Sequence, residues 1–369
     1  AGGEPDGVAE CQPDALSAAA SDAARARPWA SRQSGSLSEG THADRGGRNY
    51  LLVLAAGSER VLNEARFLLL RELAVSHGRG SYEIDLATDR PEFFARFCGD
   101  PRLRLLRADG AQLRAWRGAH DFILRMKIEF LRAFAAAHEG NFLYLDADVY
   151  PRRDFSSLFA RIAGGEIFMH LPEGRVDRSP WNEPWHAFLR DTTVAVGGSA
   201  VRFAPNFVLW NAGVLGFSSR FAGALDDALD FVDDVYPRFP DRLTEQVALT
   251  LCFARRMPLV AADDDFIHYW RFKGFAGVVA RLFETHRACG LDEIVRTSGR
   301  ILPEQLDPPP RRRFGERAYH RLARPLRPLY EALRRLQATG RPPLDPARLY
   351  PLVELAGDSR RENPARETS

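Results

Sequence analysis

In the stretch NFLYLDADVYPRRDF (141–155), the apolar run Phe142–Leu145 leads directly into Asp146, Ala147 and Asp148, and Val149-Tyr150-Pro151 ends it. Two carboxylates one residue apart at a strand end repel each other unless positive charge lies between them. Alternate residues of an extended segment point to the same side, so both acids can reach one divalent cation. Hard oxygen donors suit Mg²⁺ or Mn²⁺, which keep positions open for phosphate oxygens. The bland alternative is a pair of solvated loop acids, and the apolar strand in front of them speaks against it.

A second signal is compositional. Lysine and arginine total 51, yet Lys127 and Lys273 are the only lysines, as in proteins from GC-rich genomes. Either these two survive by chance, or a compact ammonium is wanted where a guanidinium fork would not substitute. His268, between Ile267 and Tyr269, is either a packed histidine or a neutral ligand close to carboxylates.

These residues need elements to hold them. NYLLVLAAGS (49–58) reads as a strand ending in small residues, and VLNEARFLLLRELAVSHG (61–78) as a helix stopped by Gly78. A second strand ends at Thr88-Asp89, with a helix entered through Pro91. ILRMKIEFLRAFAAAHEG (123–140) carries Lys127 on a helix that Gly140 closes just before the acidic strand. Strand–helix–strand alternation predicts an α/β fold with a mostly parallel central sheet flanked by helices. In such sheets ligands sit beyond the carboxyl ends of the strands, where Gly57, Asp89, Asp146 and Asp148 fall. Further on, 166–174 and 207–219 read as strands, 219–236 and 243–256 as helices, and 259–275 as the last recognisably ordered segment. Residues 1–47 lack an apolar period and read as disordered. From 308 to 336 the composition turns to proline and arginine, a solvated and partly helical tail or a basic surface drawn to anionic lipid.

LYLDADVYP resembles the metal-binding DxD of GT-A-type nucleotide-sugar glycosyltransferases. The helix with Lys127 resembles the one from which a basic residue reaches the donor diphosphate. WNAGVLGF (210–217) is similar to their N-[SA]-G segment, TEQVAL (244–249) to their acid–Gln pair, and HYWRFKG (268–274) to their late His…Gly/Lys segment. The resemblance spans about residues 48–276, in the family's order. The late segment departs from the HxxGxxKPW of the glycogenin-like family 8, and the first strand lacks that family's Asp after Ala55-Ala56. The superfamily is therefore assigned and the family left open.

The resemblance implies a GT-A (Rossmann-like nucleotide-diphospho-sugar transferase) domain over 48–285, with 286–369 as a basic tail. It implies Mn²⁺ or Mg²⁺ held by Asp146, Asp148 and His268, with Lys127 and Lys273 beside the diphosphate. Ala55, Ala56, Gly57 and Ala147 would let the donor approach the backbone, and Asp89 would accept from uracil or a ribose hydroxyl unless it only closes a turn. Asn211 and Gly213 would face the sugar, Gly213 by making room. Glu245 would deprotonate the acceptor, or Gln246 or Glu245 would stabilise an oxocarbenium-like centre; N-terminal capping is the competing explanation. His170, Glu173, Trp181, Trp185 and His186 are candidates for an acceptor wall, with core packing the rival for either Trp. The donor expected is a UDP-sugar, and the acceptor a glycan, lipid-linked or other hydroxyl.

Composition narrows the rest. With 45% hydrophobic residues and a net charge of +2, the chain can build a sizeable core and is not a nucleic-acid binder by charge. No apolar run is of membrane-spanning length, the first residues lack a secretion-signal profile, and four cysteines form no CxxC pair. A cytoplasmic, reducing setting is expected, with the tail as a route to the inner membrane face. Two rivals remain. The segment also resembles the HAD phosphohydrolases, with Asp146 as nucleophile, but no lysine lies between Asp148 and Asp263 to serve that scheme. A non-catalytic nucleotide-sugar or glycan-binding descendant of the fold is the other.

Overall fold

The structure, a computed structural model, describes residues 27–28, 47–178, 182–270 and 274–301. Lys273, Trp181 and the Pro/Arg-rich stretch 308–336 lie outside the described residues.

In chain order the first half comprises β1 (Asn49–Ala55), α1 (Glu59–Ser76), β2 (Glu83–Thr88), β3 (Leu103–Arg107), α2 (Gly110–Arg117), α3 (Arg125–Ala137) and β4 (Asn141–Leu145). Then come β5 (Val149–Pro151), α4 (Ser156–Gly164), β6 (Ile167–Met169), β7 (Pro172–Arg175), α5 (Glu183–Asp191) and the hairpin β8 (Val194–Val196) and β9 (Ser199–Val201). The remainder is β10 (Val208–Trp210), β11 (Val214–Ser218), α6 (Gly223–Val235), α7 (Thr244–Ala254), β12 (Leu259–Ala261), β13 (Phe266–His268), α8 (Phe275–Thr285) and α9 (Leu291–Ser298).

The central sheet runs β3-β2-β1-β4-β11-β6-β12, with the two-residue strand Arg27–Pro28 added beside β3. All pairings are parallel except those of β11, which runs antiparallel to both β4 and β6. Every residue of β4 is buried, as an inner strand covered on both faces requires. Alternation in β1 divides the core: Tyr50 and Leu52 pack toward α2, α3, α6 and α7, while Leu51 and Val53 pack toward α1, α4, α8 and α9. β2 and β3 lie on one side of β1 and β4 on the other, so the crevice beyond β1 and β4 is the topological switch point. The turn after β1 is set by Gly57 at φ +89°, where a side chain would be strained, and by Ser58, whose Oγ caps α1 by accepting from Val61 N–H.

Several local expectations are corrected: 166–174 divides between β6 and β7, which belong to different sheets, and the helix entered through Pro91 is a 3-10 helix over Pro91–Phe97. The segment 207–219 is not one strand: β10 and β11 belong to different sheets, broken at Asn211–Gly213. Order does not end with 259–275. α9 packs on α1 with Ile294 fully buried, and Tyr150 Oη donates to Ile301 O at 2.7 Å. Among the described residues no helix is long and apolar enough to cross a membrane.

Ile294→Ala is expected to cost about 2 to 5 kcal/mol in urea unfolding, with a single transition, because α9 is part of the core on the α1 face of the sheet. A change under half a kilocalorie would mean that α9 is a loosely attached appendage.

Candidate active site

Asp146 and Asp148 do not lie on an extended segment, contrary to the expectation. β4 ends at Leu145, and Val149 N–H closes a tight turn onto Asp146 O at 3.0 Å. A turn, rather than strand pleating, brings the two acids together. It is anchored from both sides. Asp146 N–H donates to Gly213 O at 2.8 Å, continuing the β4–β11 ladder, and Tyr269 N–H donates to Asp148 O at 3.0 Å, continuing the β5–β13 pairing. The same two ladders deliver Asn211–Gly213 and His268 to the acids. One donor atom from each of Asp146, Asp148 and His268 lies within 4.8 Å of the other two.

Lys127 projects from the first turn of α3 into this rim and is buried. Its Nζ sits 3.0 and 3.1 Å from the two Asp146 oxygens, 2.8 Å from Glu245 Oε1 and 3.0 Å from the Ala212 carbonyl. Tyr144, two residues before Asp146 on β4, donates from Oη to Asp146 Oδ1 at 2.9 Å. Burial pulls the Lys127 pKa down, but Asp146 and Glu245 outweigh it and leave the ammonium strongly favoured. A simple ion pair would lower Glu245 in return, yet its carboxyl is raised: burial dominates, and Asp146 adds repulsion against the pull of Lys127. Two carboxylates, Asp146 and Glu245, therefore share one ammonium. Removing one partner from such a buried group leaves uncompensated charge.

His268 is oriented from behind. Its Nδ1 lies 2.7 Å from Asn211 Oδ1, which also accepts from Gly213 N–H at 3.0 Å, and its Nε2 lies 3.0 Å from Asp148 Oδ1. Asn211 Oδ1 is thus an acceptor, Nδ1 carries a proton, and Nε2 is the nitrogen turned toward Asp148. Burial lowers the His268 pKa, but the Asp148 hydrogen bond and charge outweigh it and raise it above 6.5. Asp148 in turn is held below 3.8, burial pushing it up and the His268 hydrogen bond pulling it down further. Two carboxylates, an imidazole nitrogen backed by a fixed N–H···O bond, and surplus negative charge fit a hard divalent ion. His170 stands behind, its ring edge-on to His268 at 5.7 Å; burial, then His268, lower its pKa to about 4 and keep it neutral.

The other residues singled out from sequence divide. Glu245 is buried against Lys127, so it does not face an acceptor, and α7 has no side-chain cap for it to supply. Gln246, next to it and half-buried, donates from Nε2 to Glu173 Oε2 at 2.9 Å, while Asn211 Nδ2 donates to Glu173 Oε1 at 3.1 Å. Glu173 thus joins the site as a hydrogen-bond bridge. Gly213 does not make room for a sugar: a Cβ there would meet His268 Nδ1 at 2.2 Å, so the imidazole fills the space. Asp89 receives Gly57 N–H on both oxygens at 3.2 Å, and Arg90 donates to Gly57 O at 2.6 Å, a clamp on the turn in which Ala56 and Gly57 lie. Ala55 and Ala147 are buried, Ala147 within the acidic turn. Trp185 is core, 1% exposed and edge-on to Phe239 at 4.9 Å, and cannot line an acceptor wall. His186 is half-buried on α5.

Tyr144 and Glu64 went unnoticed in the sequence. Glu64, buried on α1 and held by Arg60 at 3.1 Å, has its carboxyl raised by burial and then by Asp148. The signal was an acid inside the apolar stripe of Leu62, Ala65 and Leu69. Tyr144 looked like ordinary strand apolarity, and nothing local marked it.

No protein-family model and no curated protein matches this chain. Among solved structures it is similar to apo WbbM, a bifunctional glycosyltransferase, with 10% identity and a TM-score of 0.35 over 64% of this chain and 47% of that one. It is also similar to apo mouse xyloside xylosyltransferase 1, with 14% identity and a TM-score of 0.37 over 63% of this chain and 92% of that one. The chain thus matches about half the length of WbbM.

Lys127→Met is expected to destabilise the fold by about 3 to 5 kcal/mol, since Asp146 and Glu245 lose their counter-charge. Urea unfolding measures it; a cost below 1 kcal/mol would refute the buried-pair account. The pH dependence has a definite sign. Stability from His268 is complete below 6.5 and lost as pH rises through its raised folded value; that from Asp148 is present above 3.8 and lost as pH falls through its lowered one. Metal-free protein should therefore weaken as pH rises past 6.5 through the folded His268 value. Mn²⁺ uptake, which needs a bare Nε2, should strengthen over that window with proton release in calorimetry. Stability rising with pH there would contradict the pairing.

Proposed function

We propose that this chain is a metal-dependent glycosyltransferase, moving a sugar from a nucleotide diphosphate donor, a UDP-sugar, to an acceptor hydroxyl. One observation carries the reading. Asp146, Asp148 and His268 come from two distant segments, yet offer their donor atoms within 4.8 Å of one another at the switch point of an α/β sheet. Asn211 and Gln246 stand beside them, joined through Glu173.

Breaking the bond between a sugar and its nucleotide diphosphate leaves negative charge on the departing oxygen. Mn²⁺ or Mg²⁺ held by Asp146, Asp148 and His268 would supply the compensating charge. Lys127 holds Asp146 in place and has no hydrogen to spare for solvent. Asn211 fixes the His268 ring. Gln246 offers its amide to the rim, and the clamped turn at Gly57 offers an open backbone surface to the nucleotide, since a Cβ at Gly57 would meet nothing within 4 Å. Lys273 takes the role of diphosphate contact, on the strength of the sequence alone. Glu245 takes the role of counter-ion to Lys127 instead of acceptor base.

The phosphohydrolase reading needs Asp146 as a free nucleophile and Asp148 as a free acid. Here Tyr144 and Lys127 engage both oxygens of the first, and His268 engages the second, which favours the transferase.

A panel of nucleotide sugars with Mn²⁺, scored for slow donor hydrolysis and thermal stabilisation, tests the proposal. One uridine or guanosine sugar should stand out, chelator should abolish the response, and Asp148→Ala should lose at least tenfold in donor or Mn²⁺ affinity. Donor binding by Asp148→Ala as tight as that of the parent in Mn²⁺ would sink the metal assignment.

A further inference from the structure

Five side chains form one unbroken hydrogen-bonded series at the rim. Gln246 Nε2 donates to Glu173 Oε2 at 2.9 Å, and Asn211 Nδ2 donates to Glu173 Oε1 at 3.1 Å. Asn211 Oδ1 faces His268 Nδ1 at 2.7 Å, and His268 Nε2 faces Asp148 Oδ1 at 3.0 Å. The polarity of the series has no freedom. A carboxylate at Glu173 only accepts, and the Gly213 N–H on Asn211 Oδ1 only donates. The Asn211 amide is thereby fixed from both ends, and His268 must carry its proton on Nδ1. The same carboxylate takes the Gln246 NH₂, which fixes the amide so that Oε1 is its outward acceptor atom relative to Glu173.

The backbone shows why Glu173 sits where it does. β7 pairs with β10 as Gly174 opposite Leu209 and Pro172 opposite Trp210, so the register slips at Glu173. Gly174, next to it, has φ +108°, a conformation that glycine adopts without strain. A β-bulge re-aims a side chain off the regular pleat, and here it aims Glu173 at two amides on two other elements.

We propose that Glu173 is a positioning residue that sets the amide orientation of both Asn211 and Gln246, tying the geometry of the His268–Asp148 pair to the group presented by Gln246. This takes a side chain with two acceptor oxygens. Glutamine would bring a single acceptor oxygen and would place its own NH₂ against one of the two it must receive. The purpose of the coupling rests on the transferase reading; the coupling itself does not.

The test uses the full-length protein without metal, isotopically labelled, with side-chain NH₂ signals assigned through Asn211→Asp and Gln246→Glu. In the parent, Asn211 and Gln246 should each show one proton displaced and slow to exchange. Glu173→Gln should remove this for at least one of them and weaken the Mn²⁺ Kd on the order of tenfold in calorimetry. The exchanged pair Glu173→Gln/Gln246→Glu reverses one bond while Gln at 173 still accepts from Asn211. It should restore the Asn211 signal and the Mn²⁺ affinity. Unaltered NH₂ signals and Mn²⁺ affinity in Glu173→Gln overturn the proposal, as does an exchanged pair that recovers neither. Failure of every sugar nucleotide to respond, with the amide pattern behaving as described, removes the transferase reading and upholds the positioning role.

Discussion

A single ammonium, stripped of water beneath the rim of the sheet, holds together two acids that would otherwise repel. Bringing the Lys127 charge inside costs several kcal/mol, which two carboxylates and a carbonyl within 3.1 Å offset. The arrangement suits a small point charge with three donors, and a planar fork would not reach Asp146, Glu245 and the Ala212 carbonyl from one position. In a chain whose other basic residues, Lys273 apart, are arginine, this accounts for at least one of its two lysines. It also fixes what neighbouring groups can do. Asp146 is locked toward Lys127 and Tyr144, Glu245 is committed as a counter-ion, and the charge left over resides with Asp148, beside a histidine.

Legibility followed how local each signal was. Periodicity and strand-end punctuation disclosed β1, α1, β4 and α3, because their apolar faces are written in consecutive residues. The acids at the end of β4 and the histidine of β13, which the structure brings together, were legible as a candidate metal set from residue type and the family resemblance. Their mode of convergence was not, since a turn closed by Val149 and ladders to Gly213 and Tyr269 depend on partners distant in sequence. Three roles changed for the same reason. Gly213 suggests space until His268 occupies it, Trp185 suggests a stacking surface until Phe239 covers it, and Glu245 suggests a base until Lys127 meets it. In each case residue type was informative and direction was not.

His268 illustrates how packing and chemistry combine. Its ring lies over a glycine because no other residue leaves the gap, and its hydrogen-bond partner is only two residues from that glycine. Steric fit selects the ring plane, and Asn211 selects the tautomer. The imidazole therefore reaches the rim with its orientation already determined, at no further loss of rotamer freedom when a ligand arrives.

The pairing of β7 with β10 encloses everything from 176 to 207, including α5, its buried Trp185 and the β8–β9 hairpin. Because strands at both ends are fastened to each other, that excursion is a cassette on a closed stem. Its closure entropy changes only slowly with length. A change of length at an exposed turn inside it would therefore leave Glu173, on the stem, and Asn211, just past it, in their places.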